Sequence, residues 1–131
     1  MIFVDSGGWF ASLITTDSDH LAAKVWLRTN KLPLVTTDYV VDETLTLLRA
    51  RGEARDAMNL AKLFSLGKAA KIEFVTPTDF ESALALFQEY GDKQWSFTDC
   101  TSKVVMERLG ITTAFAFDQH FRQFGSVDVV P

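Results

Sequence analysis

Four short apolar runs punctuate this chain: Met1–Val4 (MIFV), Pro33–Thr36 (PLVT), Ile72–Val75 (IEFV) and Thr113–Phe117 (TAFAF). Each has the length of a strand, and each is followed by longer stretches with helical periodicity. Hairpins join strands through a few residues, so runs separated by helices must be linked by crossovers. Such crossovers are right-handed and make neighbouring strands parallel. The expected fold class is therefore α/β: a three-layer α/β/α sandwich around a mostly parallel sheet covered on both faces.

The intervening segments fit that frame. Helices are expected over Ser6–Ile14 and over Asp17–Asn30, the second with Asp17 or Ser18 as N-cap. Another runs from a Thr37-Asp38 cap to Arg51, where Gly52 ends it, and a fourth covers Glu53–Leu66 before Gly67. A helix starting at Thr78 repeats Phe80, Ala83, Leu84, Phe87 and Tyr90 at helical spacing and stops at Gly91. Phe97–Leu109 is helical up to Gly110. A short helix at Gln119–Phe124 and a strand at Val127–Val130 close the chain. No repeat or linker interrupts residues 1–131, so one domain is expected.

Composition narrows the setting. The chain is 47% hydrophobic and 23% charged, enough apolar material for a core without staples. Cys100 is the single cysteine, so no internal disulfide forms, as suits a reducing cytoplasm. Neither a signal peptide nor a membrane-spanning apolar stretch is visible, so no membrane association is expected. The formal charge of −4 argues mildly against nucleic-acid binding, but the placement of the acids matters more than their sum.

Asp5 ends the first apolar run, and Asp118 follows AFAF. Each is the first charged residue after a strand. Ligands of parallel α/β sheets bind beyond the carboxyl ends of the strands, which is where both carboxylates fall. Both positions also suit a helix N-cap. On a helix, Asp42 shares a polar face with Asp38, Thr46 and Arg49, whereas Glu43 shares an apolar edge with Tyr39, Val40, Leu47 and Ala50. An inward carboxylate is costly unless it is paired, protonated or bound to metal. A buried Arg or a hydrogen-bonding Tyr is the alternative to a cation there. Asp99 lies in WSFTDC, where Ser96 and Asp99 have capping-box spacing. A helix N-terminus also keeps a carboxylate ionised.

These four acids offer oxygen donors only. Cys100, His20 and His120 form no set with zinc spacing. Clustered carboxylates repel one another unless a cation neutralises them, and Mg²⁺ or Mn²⁺ prefers such donors. Metal at the open end of a parallel sheet suits phosphoryl transfer: one ion generates hydroxide from water, and a second stabilises the leaving oxygen.

The motifs FVDSGGWFA, VVDETLTLL, WSFTDC and AFAFDQHF occur in this order along essentially the whole chain. In order and spacing they resemble those of PIN-domain ribonucleases, and within that group the VapC-type toxins of bacterial toxin–antitoxin pairs. The resemblance implies a PIN-like fold and Mg²⁺- or Mn²⁺-dependent hydrolysis of RNA phosphodiesters. Asp5, Glu43, Asp99 and Asp118 would be the catalytic, metal-binding quartet, and Ser6 would hydrogen-bond a metal water. It further implies a homodimer and a cognate VapB-like antitoxin whose C-terminal segment lies across the active-site groove.

Charge is compatible with an RNA substrate. Seventeen acids less the four of the quartet leaves thirteen, equal to the Lys and Arg count. Arg49, Arg51 and Arg55 are candidate phosphate contacts, with Lys24, Arg28 and Lys103 as others; the alternative for each is a solvated surface. Trp9 and Trp95 flank motif acids and suit either base stacking or, preferentially, core packing. His120 is read as capping or packing rather than acid–base chemistry, and Cys100 as core.

Other acid-centred families fit less well. A haloacid-dehalogenase-like phosphatase wants an acid where Gly7 stands, and Gly7 and Trp9 break the D-x-S-x-S pattern of metal-dependent adhesion modules. A receiver domain wants an acidic pair near the first strand and a Lys near the last. The rival of a different class is a catalytically weak PIN-fold module that binds RNA or a partner. RNA cleavage by the purified protein separates the two.

Overall fold

The computed structural model describes every residue from Met1 to Pro131. Its strands are β1 (Ile2–Val4), β2 (Leu34–Thr37), β3 (Lys71–Glu73), β4 (Thr113–Phe115) and β5 (Asp128–Val130). Its helices are α1 (Ser6–Leu13), α2 (His20–Thr29), α3 (Asp38–Ala50), α4 (Ala54–Ser65), α5 (Pro77–Glu89) and α6 (Phe97–Leu109). The sheet order is β3-β2-β1-β4-β5 and every neighbouring pair is parallel. The α/β expectation holds, with a sheet that is wholly rather than mostly parallel.

That order positions the site. The chain starts at the centre of the sheet, winds outward through β2 and β3, then returns to the other side of β1 with β4. The reversal lies between β1 and β4, and a crevice opens at such a switch point beyond the strands' carboxyl ends. Asp5 follows β1 and Asp118 follows β4, so the topology brings both to the same crevice.

The sheet's interior explains its apolar runs. Phe3, Val4, Val35, Ala114 and Phe115 are all buried, as strands covered on both faces must be. Trp26 stacks on Phe115 with centroids 4.6 Å apart, and Trp9 meets Phe64 edge-on at 5.2 Å. Trp95 packs edge-on against Phe124 while its Nε1 donates to Gln123 Oε1. Trp9, Trp95 and Cys100 are thus core residues, as packing alone predicts.

Several boundaries shift for local reasons. Helix α2 begins at His20, not Asp17, because Asp17 Oδ2 accepts the Asp19 N–H and organises the preceding turn. Helix α5 begins at Pro77, where a missing N–H costs nothing. Thr76 and Asp79 close a capping box around that start. The C-terminal helix shortens to a 3-10 turn, Phe121–Phe124. In α5, Ala83 is buried, whereas Phe80, Leu84 and Phe87 are exposed by 39%, 41% and 50%. The helical spacing is real, but most of that stripe faces outward.

Asp79 supplies a prediction about stability. It is buried, and Arg108 grips it with Nε on Oδ1 at 2.9 Å and Nη2 on Oδ2 at 2.8 Å; Nη1 donates to Glu73. Burial alone would raise the Asp79 carboxyl, but the bonds from Arg108 and Thr76 outweigh it and hold the pKa below the usual carboxylate value. A depressed folded-state pKa stabilises above the unfolded value, and this contribution is lost as pH falls through the folded value. Arg108→Met strands the charge. It is expected to lower stability by about 3 kcal/mol and Tm by about 10 °C at neutral pH. Asp79→Asn combined with it should recover part of the loss in a calorimetric scan.

Candidate active site

Asp5 occupies the N-cap position of α1 in extended conformation, yet its side chain makes no capping hydrogen bond. It is 1% exposed, and neither Oδ1 nor Oδ2 has a hydrogen-bond partner. Capping therefore does not explain this acid. Its main-chain N–H donates to Phe115 O at 3.2 Å, tying the end of β1 to β4. Burial is the largest cause of a carboxyl pKa raised well above normal; the charges of Asp118, Asp99 and Glu43 raise it further, and the nearby Ser6 N–H opposes part of the rise. Asp5 thus sits in the field of the other three acids of the expected quartet.

Ser6 does not cap α1 either. It is the helix's first residue, and its Oγ donates to Glu43 Oε1 at 2.5 Å. Glu43 is half-buried and Asp42 exposed, so the sequence's division of the α3 faces holds. The partner of the inward carboxylate is a serine hydroxyl from α1, not an Arg or Tyr.

Asp99 combines two jobs. Its Oδ2 accepts the Ser96 N–H at 3.0 Å, and its own N–H donates to Ser96 Oγ at 3.0 Å, completing the capping box that starts α6. The same Oδ2 meets His120 Nδ1 at 2.8 Å. Burial raises the Asp99 pKa, the Ser96 N–H opposes it, Asp118 adds to it, and His120 opposes it. Asp118 is exposed on the segment after β4, and its Oδ1 accepts the His120 N–H at 2.9 Å. Donor atoms of Asp99, Asp118 and His120 lie within 4.8 Å of one another. His120 therefore belongs to the site; packing or capping understates it. A histidine two residues beyond the last acid was the signal, but its pairing with Asp99 spans 21 residues of chain.

The three arginines separate. Arg51 lies over the Phe10 ring at 5.5 Å and lines a cleft of about 300 Å³ with Gly7, Leu47, Phe117 and Asp118. Arg49 instead lines a cavity of about 460 Å³ between α3 and α4, and Arg55 stands exposed on α4. Only Arg51 shares a cleft with an acid of the quartet. Lys103 pairs with Glu107 on α6, and Lys24 and Arg28 are exposed on α2.

These residues fit a hard divalent cation. The donors are carboxylate oxygens at the crevice, and two of them, on Asp5, are buried without any partner. Isolated buried charge is otherwise strongly unfavourable, and a cation of this class removes the penalty.

Comparison with known proteins is consistent along the full length. The PIN-domain family pattern matches residues 2–127. The 23S rRNA-specific endonuclease VapC20 of Mycobacterium tuberculosis is 38% identical over 133 residues, which cover 100% of this chain and 99% of that protein. The crystal structure of VapC20, a sarcin-ricin loop cleaving toxin, superposes with a TM-score of 0.92 at 34% identity, covering 100% of both chains. FitAcB from Neisseria gonorrhoeae superposes at a TM-score of 0.70 over 100% of this chain and 97% of that one; at 14% identity the likeness is one of fold.

Proposed function

Because this chain belongs to the PIN-domain family, among the VapC-type ribonuclease toxins, we propose that it cleaves 23S rRNA in the sarcin-ricin loop, using Mg²⁺ or Mn²⁺ held by Asp5, Glu43, Asp99 and Asp118. The observation that carries the metal-dependent reading is Asp5: a buried carboxylate with both oxygens unpaired amid three further acids. The likeness to VapC20 over both full lengths supports the choice of RNA.

When bound, such a cation acidifies water and offsets charge building on the phosphodiester. The protein's own groups keep the acids in place. The Ser6 hydroxyl orients Glu43, and the Ser96 N–H fixes Asp99 at the start of α6. Arg51, beside Asp118 in the cleft, supplies a positive charge for an RNA phosphate. Arg49 and Arg55 lie on other surfaces and are not part of this reading. Mapping RNA 5′ ends after incubating antitoxin-free protein with ribosomes and Mn²⁺ tests it. One dominant cut in the sarcin-ricin loop, abolished by chelation, is expected. Cuts elsewhere overturn the substrate, and intact RNA favours a binding module without turnover.

The reading includes a homodimer, a cytoplasmic place of action and inhibition by a VapB-like antitoxin. No helix of the chain is long and apolar enough to cross a membrane. Self-association is supported by Phe80, Leu84 and Phe87 of α5, exposed together with Phe74 at the end of the sheet. Such stripes are characteristic of interfaces. Phe87→Glu is expected to shift the sedimentation of the protein from dimer to monomer while leaving its circular dichroism unchanged.

A further inference from the structure

Two carboxylates in this chain sit in the same local motif and meet different partners. Asp79 and Asp99 are each the third residue of a helix, and each accepts the N–H of its N-cap residue through Oδ2 at 3.0 Å. At Asp79 the outer partner is the forked Arg108, which engages both oxygens and leaves a fully paired ion. At Asp99 the outer partner is a single ring nitrogen, His120 Nδ1, and it takes Oδ2 only. Oδ1 of Asp99 accepts no hydrogen bond from the protein, so one oxygen is anchored twice and the other is left for a further partner.

His120 is itself tied to the site through its backbone, whose N–H donates to Asp118 Oδ1. One residue therefore touches two of the acids, one through its ring and one through its main chain. A carboxylate that holds a cation is ionised and only accepts, so in that state the proton of this contact resides on Nδ1 and Asp99 sets the ring's tautomer.

We propose that His120 is a positioning residue that holds Asp99 by the Nδ1–Oδ2 bond, aiming Oδ1 at the cation and fixing its distance from Asp118. The proposal rests on the metal-dependent reading above. Partners that orient a ligand set affinity for the metal, and losing one weakens binding about 10–100-fold. The ring is half-buried, and its contribution comes from one donor at one place. A side chain that restores that donor should restore the site.

Asparagine places its Nδ2 close to where histidine places Nδ1, whereas glutamine reaches toward the position of Nε2. Mn²⁺ binding to parent, His120→Ala, His120→Asn and His120→Gln is measured by electron paramagnetic resonance of free Mn²⁺, with cleavage followed over the same titration. His120→Ala and His120→Gln are expected to bind Mn²⁺ about 10–100-fold more weakly. Cleavage by both should reach half its maximum only at correspondingly higher Mn²⁺. His120→Asn should return to within about threefold of parental affinity, since the bond to Asp99 Oδ2 is remade. Thermal melting in chelator shows whether each variant is folded. Should His120→Ala bind Mn²⁺ as tightly as the parent, or His120→Asn as weakly as His120→Ala, the proposal is wrong while the metal site stands. If His120→Gln alone retains affinity, Nε2 is a direct ligand and the positioning role is overturned. A folded parent that takes up no Mn²⁺ overturns both the metal-dependent reading and this role.

Discussion

Asp5→Asn is expected to abolish RNA cleavage and, in chelator, to make the protein more stable. Cleavage should fall at least about 10³-fold, the scale on which loss of one preorganised electrostatic group acts. The gain in stability follows from the same carboxylate. It is buried with no hydrogen-bond partner, and Asp118, Asp99 and Glu43 repel it. A neutral amide of the same shape removes the repulsion and brings an N–H₂ that can donate to those acids. A gain of about 1–3 kcal/mol is expected near neutral pH, or roughly 5 °C in Tm.

The sign with pH is fixed. The folded-state pKa of Asp5 is raised, so the folded protein retains a proton that the unfolded chain has already released. Its destabilising effect is absent below the unfolded value and grows as pH rises towards the folded value. Metal-free parent should therefore gain on Asp5→Asn when the pH is lowered from neutral. Mn²⁺ at about 100 times its dissociation constant should raise the parent by about 2.7 kcal/mol and the variant by far less. A variant that melts at or below the parent in chelator would contradict the repulsion argument.

What the sequence reveals about this site is what is local. MIFV followed by Asp5 specifies a buried strand that delivers an acid, and helices between the apolar runs force a parallel sheet. The Glu43 side of α3 is legible because neighbours at three and four residues share a face. The partners are not legible. Ser6 meets Glu43 across 37 residues, and His120 meets Asp99 across 21; tertiary packing alone creates those contacts. Periodicity likewise shows that Phe80, Leu84 and Phe87 align without showing whether anything covers them. The two capping boxes make the limit plain. T-x-x-D at Thr76 and S-x-x-D at Ser96 look equivalent, and only the arrival of Arg108 at one and His120 at the other separates a structural ion pair from a site residue.

Gly8→Ala is expected to destabilise by about 3 kcal/mol and to impair cleavage, while Gly7→Ala folds normally. Both positions lie in α1, and in an unobstructed helix each exchange would stabilise by roughly 1 kcal/mol. The pair therefore shares its propensity gain and differs in what a methyl group meets. At Gly8 a Cβ would stand 2.6 Å from Phe115 O and 2.7 Å from Phe115 Cδ1. That ring is buried and stacked on Trp26, and the carbonyl already accepts the Asp5 N–H. Neither can yield, so α1 must lift from β4, with the strain of an overpacked core. At Gly7 the nearest atom is Asp5 Oδ2 at 4.0 Å, an ordinary contact. Lifting α1 carries Ser6, and with it the hydroxyl that holds Glu43, away from the segment that bears Asp118. Urea denaturation and RNA cleavage should therefore fall together in Gly8→Ala. Equal stability of the two alanine variants would show that the contact with Phe115 is not what seats α1 over the crevice.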